Sequence, residues 1–304
     1  MRISTAMMAH SVQTYLGRAT ENMFKIQEQA ASGLRINRPS DDPTGAQYAA
    51  VLRSAQAEVV QYQRNAEEGT QFLKTTDAAL AGIVDMVRSA RDSALAGAGN
   101  GASREARSAL ASNIEQISNA IARVANSDEA GRFIFGGFKT VAPPFAVNAG
   151  AVPPVIYSGD SGIMMFQIGR ASNVAVNLPG DQVFNMNGEA NPAMPDLFST
   201  LNDLKTALLA GDDAAINTAT TQLDDHLARL ISMRGEVGSR QQGMELAVNQ
   251  LSAVEFSLKA SLSKTEDADL VKVMIDLQQQ QNTYQATVNV AAILSRPGLW
   301  ARLG

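Results

Sequence analysis

Residues 32–46 read SGLRINRPSDDPTGA and separate two stretches whose apolar side chains recur at helical spacing. Pro39 and Pro43 disfavour a continuous helix through this connection, and Pro43 suits the first position of the helix that follows. Capping does not account for two arginines in so short a connection, so an active-site loop and a contact surface are the two explanations to weigh. Three residues have side-chain oxygens that could cap the following helix: Ser40, Asp41 and Asp42.

Upstream of the connection, the pattern predicts a first helix over residues 5–32 that Gly33 ends. Apolar or small side chains alternate four and three residues apart along it, which is the spacing of a coiled-coil seam. These seam positions are Val12, Leu16, Ala19, Met23, Ile26 and Ala30. Downstream, a longer stripe from Leu52 to Ala94 predicts a long second helix, and the stretch GAGNGA at 97–102 separates it from a third.

The second half of the chain repeats this organisation in reverse. Between Phe138 and about Pro192, short apolar runs are separated by the turn signals SGD, LPGD and NMNG, which predicts a small β-rich insert. Helix returns near Asp196, and from Asp212 a strict seven-residue repeat predicts a long helix with a coiled-coil face. The repeat consists of Ile216, Leu223, Leu230, Val237, Met244, Leu251 and Leu258.

A final helix completes the pattern. Ser263 and Glu266 have the spacing of a capping box, which places the start of this helix close to them. Its predicted seam positions are Leu270, Met274, Leu277, Tyr284 and Val288.

The order of elements predicts a mainly α fold with a small β-rich insert, long coiled-coil-like helices and paired N- and C-terminal helices. The predicted parts are an N-terminal helix with its connection (1–42), a long-helix domain in two pieces (43–137 and 195–264), an outer β-rich insert (138–194) and a C-terminal helix (265–304).

Composition excludes several classes of function. The net charge of −5 and scattered basic residues disfavour nucleic-acid binding, and no apolar run is long enough for membrane insertion. The N-terminus lacks the apolar core of a cleaved signal peptide. There is no cysteine, and His10 and His226 lie far apart in sequence, with His226 at a seam position. We therefore expect no catalytic residue, metal site or cofactor, and no enzyme activity.

The terminal helices have thin apolar stripes. The six seam positions of the first helix include two alanines, so pairing with the last helix buries little apolar surface against the cost of ordering the backbone. We expect these helices to be marginal in a lone chain and to fold fully when neighbouring copies cover their other faces. Met8, Tyr15 and Phe24, which lie off the seam, would then face other molecules. The alternative is that both helices pack on a central domain.

Several motifs resemble the bacterial flagellin family. They are MRIST at the start, SGLRINRPSDDPTGA, RNAEEGTQFLKTTDAAL at 64–80 and LSKTEDADLVKVMIDLQQQQNTYQATVNV at 262–290. The PSDDP run at 39–43 and IFGGFKTVAPPF at 134–145 are similar to the members that join the flagellar hook to the filament. The C-terminal RPGLWARLG departs from the family pattern.

The resemblance implies a structural adaptor of the bacterial flagellum. Copies would form a hook–filament junction ring by lateral packing of their terminal helices. The implied partners are further copies of the chain, the first hook-associated protein, flagellin and a cytoplasmic flagellar export chaperone. The implied location is extracellular, after type III export without a cleaved signal peptide. The alternatives are a compact filament-forming flagellin and an unrelated helical binding module.

One set of polar residues is expected to form contacts between subunits. Four belong to the connection, where charge-assisted pairs with bidentate arginine geometry could fix the register of neighbouring copies. The other two lie in the motif at 64–80. The set consists of Arg35, Arg38, Asp41, Asp42, Arg64 and Asn65.

Overall fold

The structure is a computed structural model that describes residues 5–99, 102–148, 154–186 and 194–294. The first four residues of MRIST and the whole of RPGLWARLG lie outside this part of the chain. Within it the fold is mainly α-helical with a few short strands, which confirms the predicted fold class. The helices are α1 (Thr5–Ser32), α2 (Pro43–Gly97), α3 (Arg104–Ala125), α4 (Gly180–Phe184), α5 (Leu197–Ala210), α6 (Asp213–Glu266) and α7 (Leu270–Leu294).

Several helix ends follow from local sequence chemistry. Gly33, at φ 71°, ends α1 and donates its N–H to the carbonyl of Gln29 at 2.9 Å. The side chain of Ser103 caps α3, and that of Asp196 caps α5 by accepting the N–H of Ser199 at 2.8 Å. These caps satisfy backbone N–H groups that have no partner within the first turn of a helix.

The chain divides into two compact units. The first comprises the residues up to 58 and those from 254 onward, and the second comprises residues 59–253. Both divisions fall inside helices, within α2 and α6, whereas the predicted boundaries near residues 42 and 264 follow helix ends. The predicted five-part division therefore stays a prediction.

The core of the second unit contains the two predicted stripes. On α2 the stripe from Ala66 to Ala94 is buried, and on α6 the heptad residues from Ile216 to Met244 are buried as well. Leu251, further along α6, is half-buried. The seven-residue repeat thus identified the packed face of α6 correctly, because one face of a helix recurs at this spacing.

The strands form three antiparallel pairs in the described part of the chain. They are β1 (Asp128–Glu129) with β2 (Arg132–Phe133), β3 (Phe145–Val147) with β4 (Val155–Tyr157), and β5 (Met165–Gly169) with β6 (Ser172–Ala175). The first pair precedes the predicted start of the insert at Phe138, so strand structure begins ten residues earlier than we expected. Ala130 and Gly131, both with positive φ, make the two-residue turn of this hairpin.

Aromatic side chains fill the centre of the insert. The ring centroids of Phe145 and Phe184 are 4.9 Å apart, and Phe198 of α5 lies 5.5 Å from Phe184. The Tyr157 hydroxyl lies 2.9 Å from the carbonyl of Phe135, to which it donates, and burial raises its pKa to about 12. The insert is therefore anchored to a helix of its own unit by packed rings.

Candidate functional site

Asp42 caps the start of α2 at the end of the connection. Its Oδ1 accepts a hydrogen bond from the N–H of Gly45 at 2.9 Å, and Pro43 is the first helical residue. The Gly45 N–H, followed by the Arg35 guanidinium, holds the pKa of the Asp42 carboxyl below its usual value. The predicted capping of the second helix is thereby confirmed, and Asp42 is the residue that provides it.

Gly45 permits the connection to pack closely on the first turn of α2. A Cβ atom at this position would lie 2.6 Å from Cδ1 of Ile36 and 2.5 Å from Oδ2 of Asp42. Ile36 is itself buried. Sequence reasoning missed this contact, although a glycine in the first turn of a long helix was an available signal because glycine weakens helices.

Asp41 holds the connection to α1. Its Oδ1 lies 2.9 Å from the ammonium of Lys25, and its Oδ2 accepts the backbone N–H groups of Asn37 and Arg38 at 3.2 and 3.0 Å. Lys25, and after it these backbone donors, lowers the pKa of the Asp41 carboxyl. Both oxygens of this carboxylate are thus used within the chain.

Arg35 ties the connection to the C-terminal end of α6. Its guanidinium donates to the carbonyl of Thr265 at 2.6 Å and to Oδ2 of Asp42 at 3.3 Å, and its backbone N–H donates to the carbonyl of Glu266 at 2.6 Å. The N–H of Ala268 returns a bond to the carbonyl of Gly33 at 2.9 Å. A cation at the carbonyl end of a helix is favourable, because the helix dipole is negative there.

Arg38 is the most exposed of the four charged residues of the connection that were expected to make contacts between subunits. It pairs with Glu28 of α1 at 3.2 Å, and 69% of its side chain remains exposed. Arg35, Asp41 and Asp42 likewise have partners within their own chain. The structure thus gives all four an intramolecular role, and their contact with neighbouring subunits stays a prediction.

The remaining two residues of that set belong to the second unit. Arg64 is exposed, and its Nε lies 3.5 Å from the carbonyl of Val60 one turn earlier in α2. Asn65 donates its side-chain amide to the carbonyl of Gln167 in β5 at 2.7 Å. Asn65 therefore attaches a strand of the insert to α2, a role that its sequence position did not indicate.

The start of the last helix differs from the prediction. Ser263 and Glu266 belong to the last turn of α6, and Asp269 caps α7 by accepting the N–H groups of Val271 and Lys272 at 3.0 and 3.1 Å. The capping-box prediction was wrong because Glu266 has another partner. Its buried carboxylate pairs with the guanidinium of Arg53 on α2.

Helices α1 and α7 pack against each other in the first unit, as the fold class predicted. The side-chain amide of Gln280 donates to the carbonyl of Ala19 at 3.1 Å. The predicted seam positions of α1 are all buried or half-buried: Val12, Leu16, Ala19, Met23 and Ile26. That these positions form the seam with α7 stays a prediction.

The α7 side of the pair requires a correction. Leu270, Met274 and Val288 were predicted for the seam but are exposed. The less exposed positions are Val273, Asp276, Leu277, Gln280, Tyr284, Thr287 and Ala291. Six of the eight residues from 270 to 277 are apolar, so their spacing alone could not select the face that packs on α1.

The outer faces of this helix pair carry many exposed apolar side chains. We call them the terminal apolar set: Met7, Tyr15, Phe24, Leu270, Val271, Met274, Ile275, Val288, Val290 and Ile293. Tyr15 and Val290 also line a shallow groove between α1 and α7. Apolar residues concentrated on two helices are typical of an interaction surface rather than of scattered surface positions.

The described residues offer little for chemistry. No group of three or more His, Cys, Asp or Glu side chains in that part of the chain could hold a metal ion. None of the described helices combines the length and the apolar character needed to cross a bilayer. His10 is exposed on α1, and His226 is buried in α6.

Known proteins resemble this chain over nearly its whole length. The flagellar hook-associated protein 3 of Salmonella typhimurium is 29% identical over 306 residues, which cover 94% of this chain and 95% of that protein. The flagellin FlaB1 of Treponema pallidum is 27% identical over 281 residues, with 92% and 91% covered.

A solved structure shows the same fold. It is that of flagellar hook-associated protein 3 from Legionella pneumophila, with a TM-score of 0.63 and 16% identity, covering 71% of this chain and 98% of that one. The family model of the bacterial flagellin N-terminal helical region matches residues 3–140, and that of the C-terminal helical region matches residues 218–297. Since these two regions together make up more than half of the sequence, the chain belongs to the bacterial flagellin family.

Proposed function

We propose that this chain is a structural adaptor of the bacterial flagellum that forms a ring at the hook–filament junction. The terminal helices α1 and α7 of each copy would pack laterally against those of neighbouring copies. The similarity to flagellar hook-associated protein 3 over nearly the whole of both chains supports this assignment.

The terminal apolar set is the observation that carries the proposal. Helices α1 and α7 cover only one face of each other, and Tyr15, Phe24 and Ile275 remain largely exposed on the other faces. Burying such side chains between copies would contribute about 1.5–3 kcal/mol for each fully covered side chain. Assembly would therefore supply the stabilisation that the small apolar contact between α1 and α7 of a single chain lacks.

The connection would hold α1, the start of α2 and the end of α6 together in this assembly. Asp42 and Arg35 fix the start of α2 to the end of α6, and Asp41 fixes α1 through Lys25. We propose that Arg35 and Arg38, whose side chains are 49% and 69% exposed, also contact neighbouring subunits. Their second set of charge-assisted bonds would fix the register of the ring.

The proposed partners are further copies of the chain, the first hook-associated protein on the hook side and flagellin on the filament side. A flagellar export chaperone would hold the C-terminal helix before export. The proposed location is extracellular, in the flagellum, after export without a cleaved signal peptide. The role is mechanical, so we propose no enzyme activity.

A compact filament-forming flagellin is the second candidate function. The similarity to FlaB1, at 27% identity over more than nine-tenths of this chain, favours it. An adaptor and a flagellin differ in copy number, because a filament contains far more subunits than one junction ring.

Deleting the gene tests the two candidates directly. Loss of an adaptor would leave hooks without filaments and release flagellin into the medium, and expression of the chain would restore filaments. Loss of a flagellin would remove the main protein of sheared filaments and release none. Long filaments formed by the purified chain alone would overturn the adaptor assignment.

A further inference from the structure

His226 is a titratable side chain of α6 that is buried beside the first turn of α5. Only 1% of it is exposed, and its Nε2 lies 3.4 Å from the hydroxyl of Thr200 on α5. That hydroxyl also lies 3.0 Å from the carbonyl of Asp196, the residue that caps α5. The ring therefore sits where a change in its charge would act on the first turn of α5.

A cationic side chain, Arg229, lies about one turn after His226 on α6. The two terminal nitrogens of the Arg229 guanidinium are buried and have no hydrogen-bond partner in the structure as far as it describes the chain. Burial lowers the pKa of this guanidinium. An unpaired buried cation is costly, and a second positive charge beside it adds repulsion in a medium that screens charge poorly.

The surroundings of His226 favour its neutral form. Burial, and after it the charge of Arg229, lowers the pKa of His226 to about 4. Two carboxylates act in the opposite direction, Asp196 before α5 and Asp225 on α6, as does the backbone at Pro195. The net effect of these groups is a ring that stays uncharged while α5 is packed.

We propose that the contact between His226 of α6 and the first turn of α5 is an acid-sensitive latch, in which protonation of His226 beside Arg229 releases this turn. The inference does not depend on the adaptor function. A histidine with a lowered pKa stabilises the packed state fully above its unfolded pKa of 6.5, and this stabilisation is lost as the pH falls towards 4. Through His226 alone, the opening equilibrium of α5 should rise about 30-fold between pH 7.5 and pH 5.

Asp203 on α5 opposes this effect. Burial, with a contribution from the charge of Asp196, raises the pKa of the Asp203 carboxyl. Acidification therefore favours the packed state through Asp203 while it disfavours that state through His226. The variant Asp203→Asn removes the opposing contribution and should make the acid response of α5 larger than in the wild type.

Amide hydrogen exchange of the full chain tests the latch. Exchange of the amides of residues 197–210 is measured at pH 7.5 and pH 5 and corrected for the pH dependence of intrinsic exchange. We expect the opening constant to rise about 30-fold in Asp203→Asn, by a smaller factor in the wild type, and by less again in Arg229→Gln, which removes the repulsion. In His226→Gln it should not rise. An equal rise in His226→Gln, or no rise in Asp203→Asn, would overturn the proposal.

A ring titration provides a second measurement that does not depend on the folding of a His226 variant. The chain has two histidines, so His10→Gln leaves His226 as the only one. Its imidazole resonances, followed by NMR from pH 8 downwards, should move with a midpoint well below 6, together with changes in α5. A midpoint near 6.5 without such changes would refute the latch.

Discussion

Truncating Phe24 to alanine should weaken junction assembly without destabilising the isolated chain. Phe24 lies on α1 and is 63% exposed, so most of its side chain remains to be buried by a neighbour. Full burial of a large apolar side chain contributes about 1.5–3 kcal/mol, so the exposed part would contribute about 1–2 kcal/mol per subunit. This corresponds to roughly 5–30-fold weaker association of subunits.

Phe138 provides a matched control for this substitution. It is 65% exposed and lies in the insert, outside the terminal helices. Phe24→Ala and Phe138→Ala should both leave the free energy of unfolding of the purified chain within about 0.5 kcal/mol of the wild type. In cells producing equal amounts of each variant, flagellin in the medium, measured by immunoblot, should rise for Phe24→Ala only. Equal flagellin release by the two variants, or normal filament retention with Phe24→Ala, would refute lateral packing through α1.

Three further substitutions test the connection and the core. Arg38→Gln removes an exposed ion pair, so the free energy of unfolding should fall by less than about 1 kcal/mol, whereas filament retention should fall clearly because a contact with a neighbouring subunit is lost. Unchanged filament retention would leave Arg38 with its intramolecular role only. Arg35→Ala removes the hydrogen bonds to Thr265 and Asp42, so the first unit should lose about 1–3 kcal/mol of stability, measured as a lower midpoint of urea unfolding. An unchanged midpoint would show that Arg35 does not hold the connection to the end of α6. Leu223→Ala should lower the free energy of unfolding by about 2–5 kcal/mol because Leu223 is fully buried, whereas Leu246→Ala, on the same helix but 70% exposed, should lower it by less than about 0.5 kcal/mol. Equal losses of stability would contradict the assignment of the buried face of α6.

The long helices could be predicted from sequence because each buries a single face. The heptad repeat of α6 and the stripe of α2 placed Leu223 and Leu80 in the core, and both are fully buried. A single buried face imposes a regular spacing, so the pattern itself carries the information.

The last helix shows where this argument fails. Residues 270–277 are apolar on nearly every side, so their spacing could not identify Val273 as the buried position. Ser263 and Glu266 have the spacing of a capping box, but Arg53, more than two hundred residues earlier, pairs with Glu266 instead. A partner so distant in sequence leaves no local signal.

The connection was only partly predictable for the same reason. Proline and aspartate positions gave the cap of α2, which depends on neighbouring residues alone. The bonds of Arg35 to Thr265 and of Asp41 to Lys25 depend on how α1 and the end of α6 pack, which no local pattern reports. The hairpin of β3 and β4 likewise depends on a distant partner, since the ring of Phe145 packs against that of Phe184.

The central claim is that α1 and α7 become fully ordered through neighbouring copies, and amide exchange of residues 5–32 and 270–294 tests it most directly. The exchange is compared between the purified chain at low concentration and intact hook–filament junctions. We predict rapid exchange of both segments in the free chain and strong protection in the junction. Equal and strong protection in the two samples would contradict the claim, because the helix pair would then be stable without any neighbour.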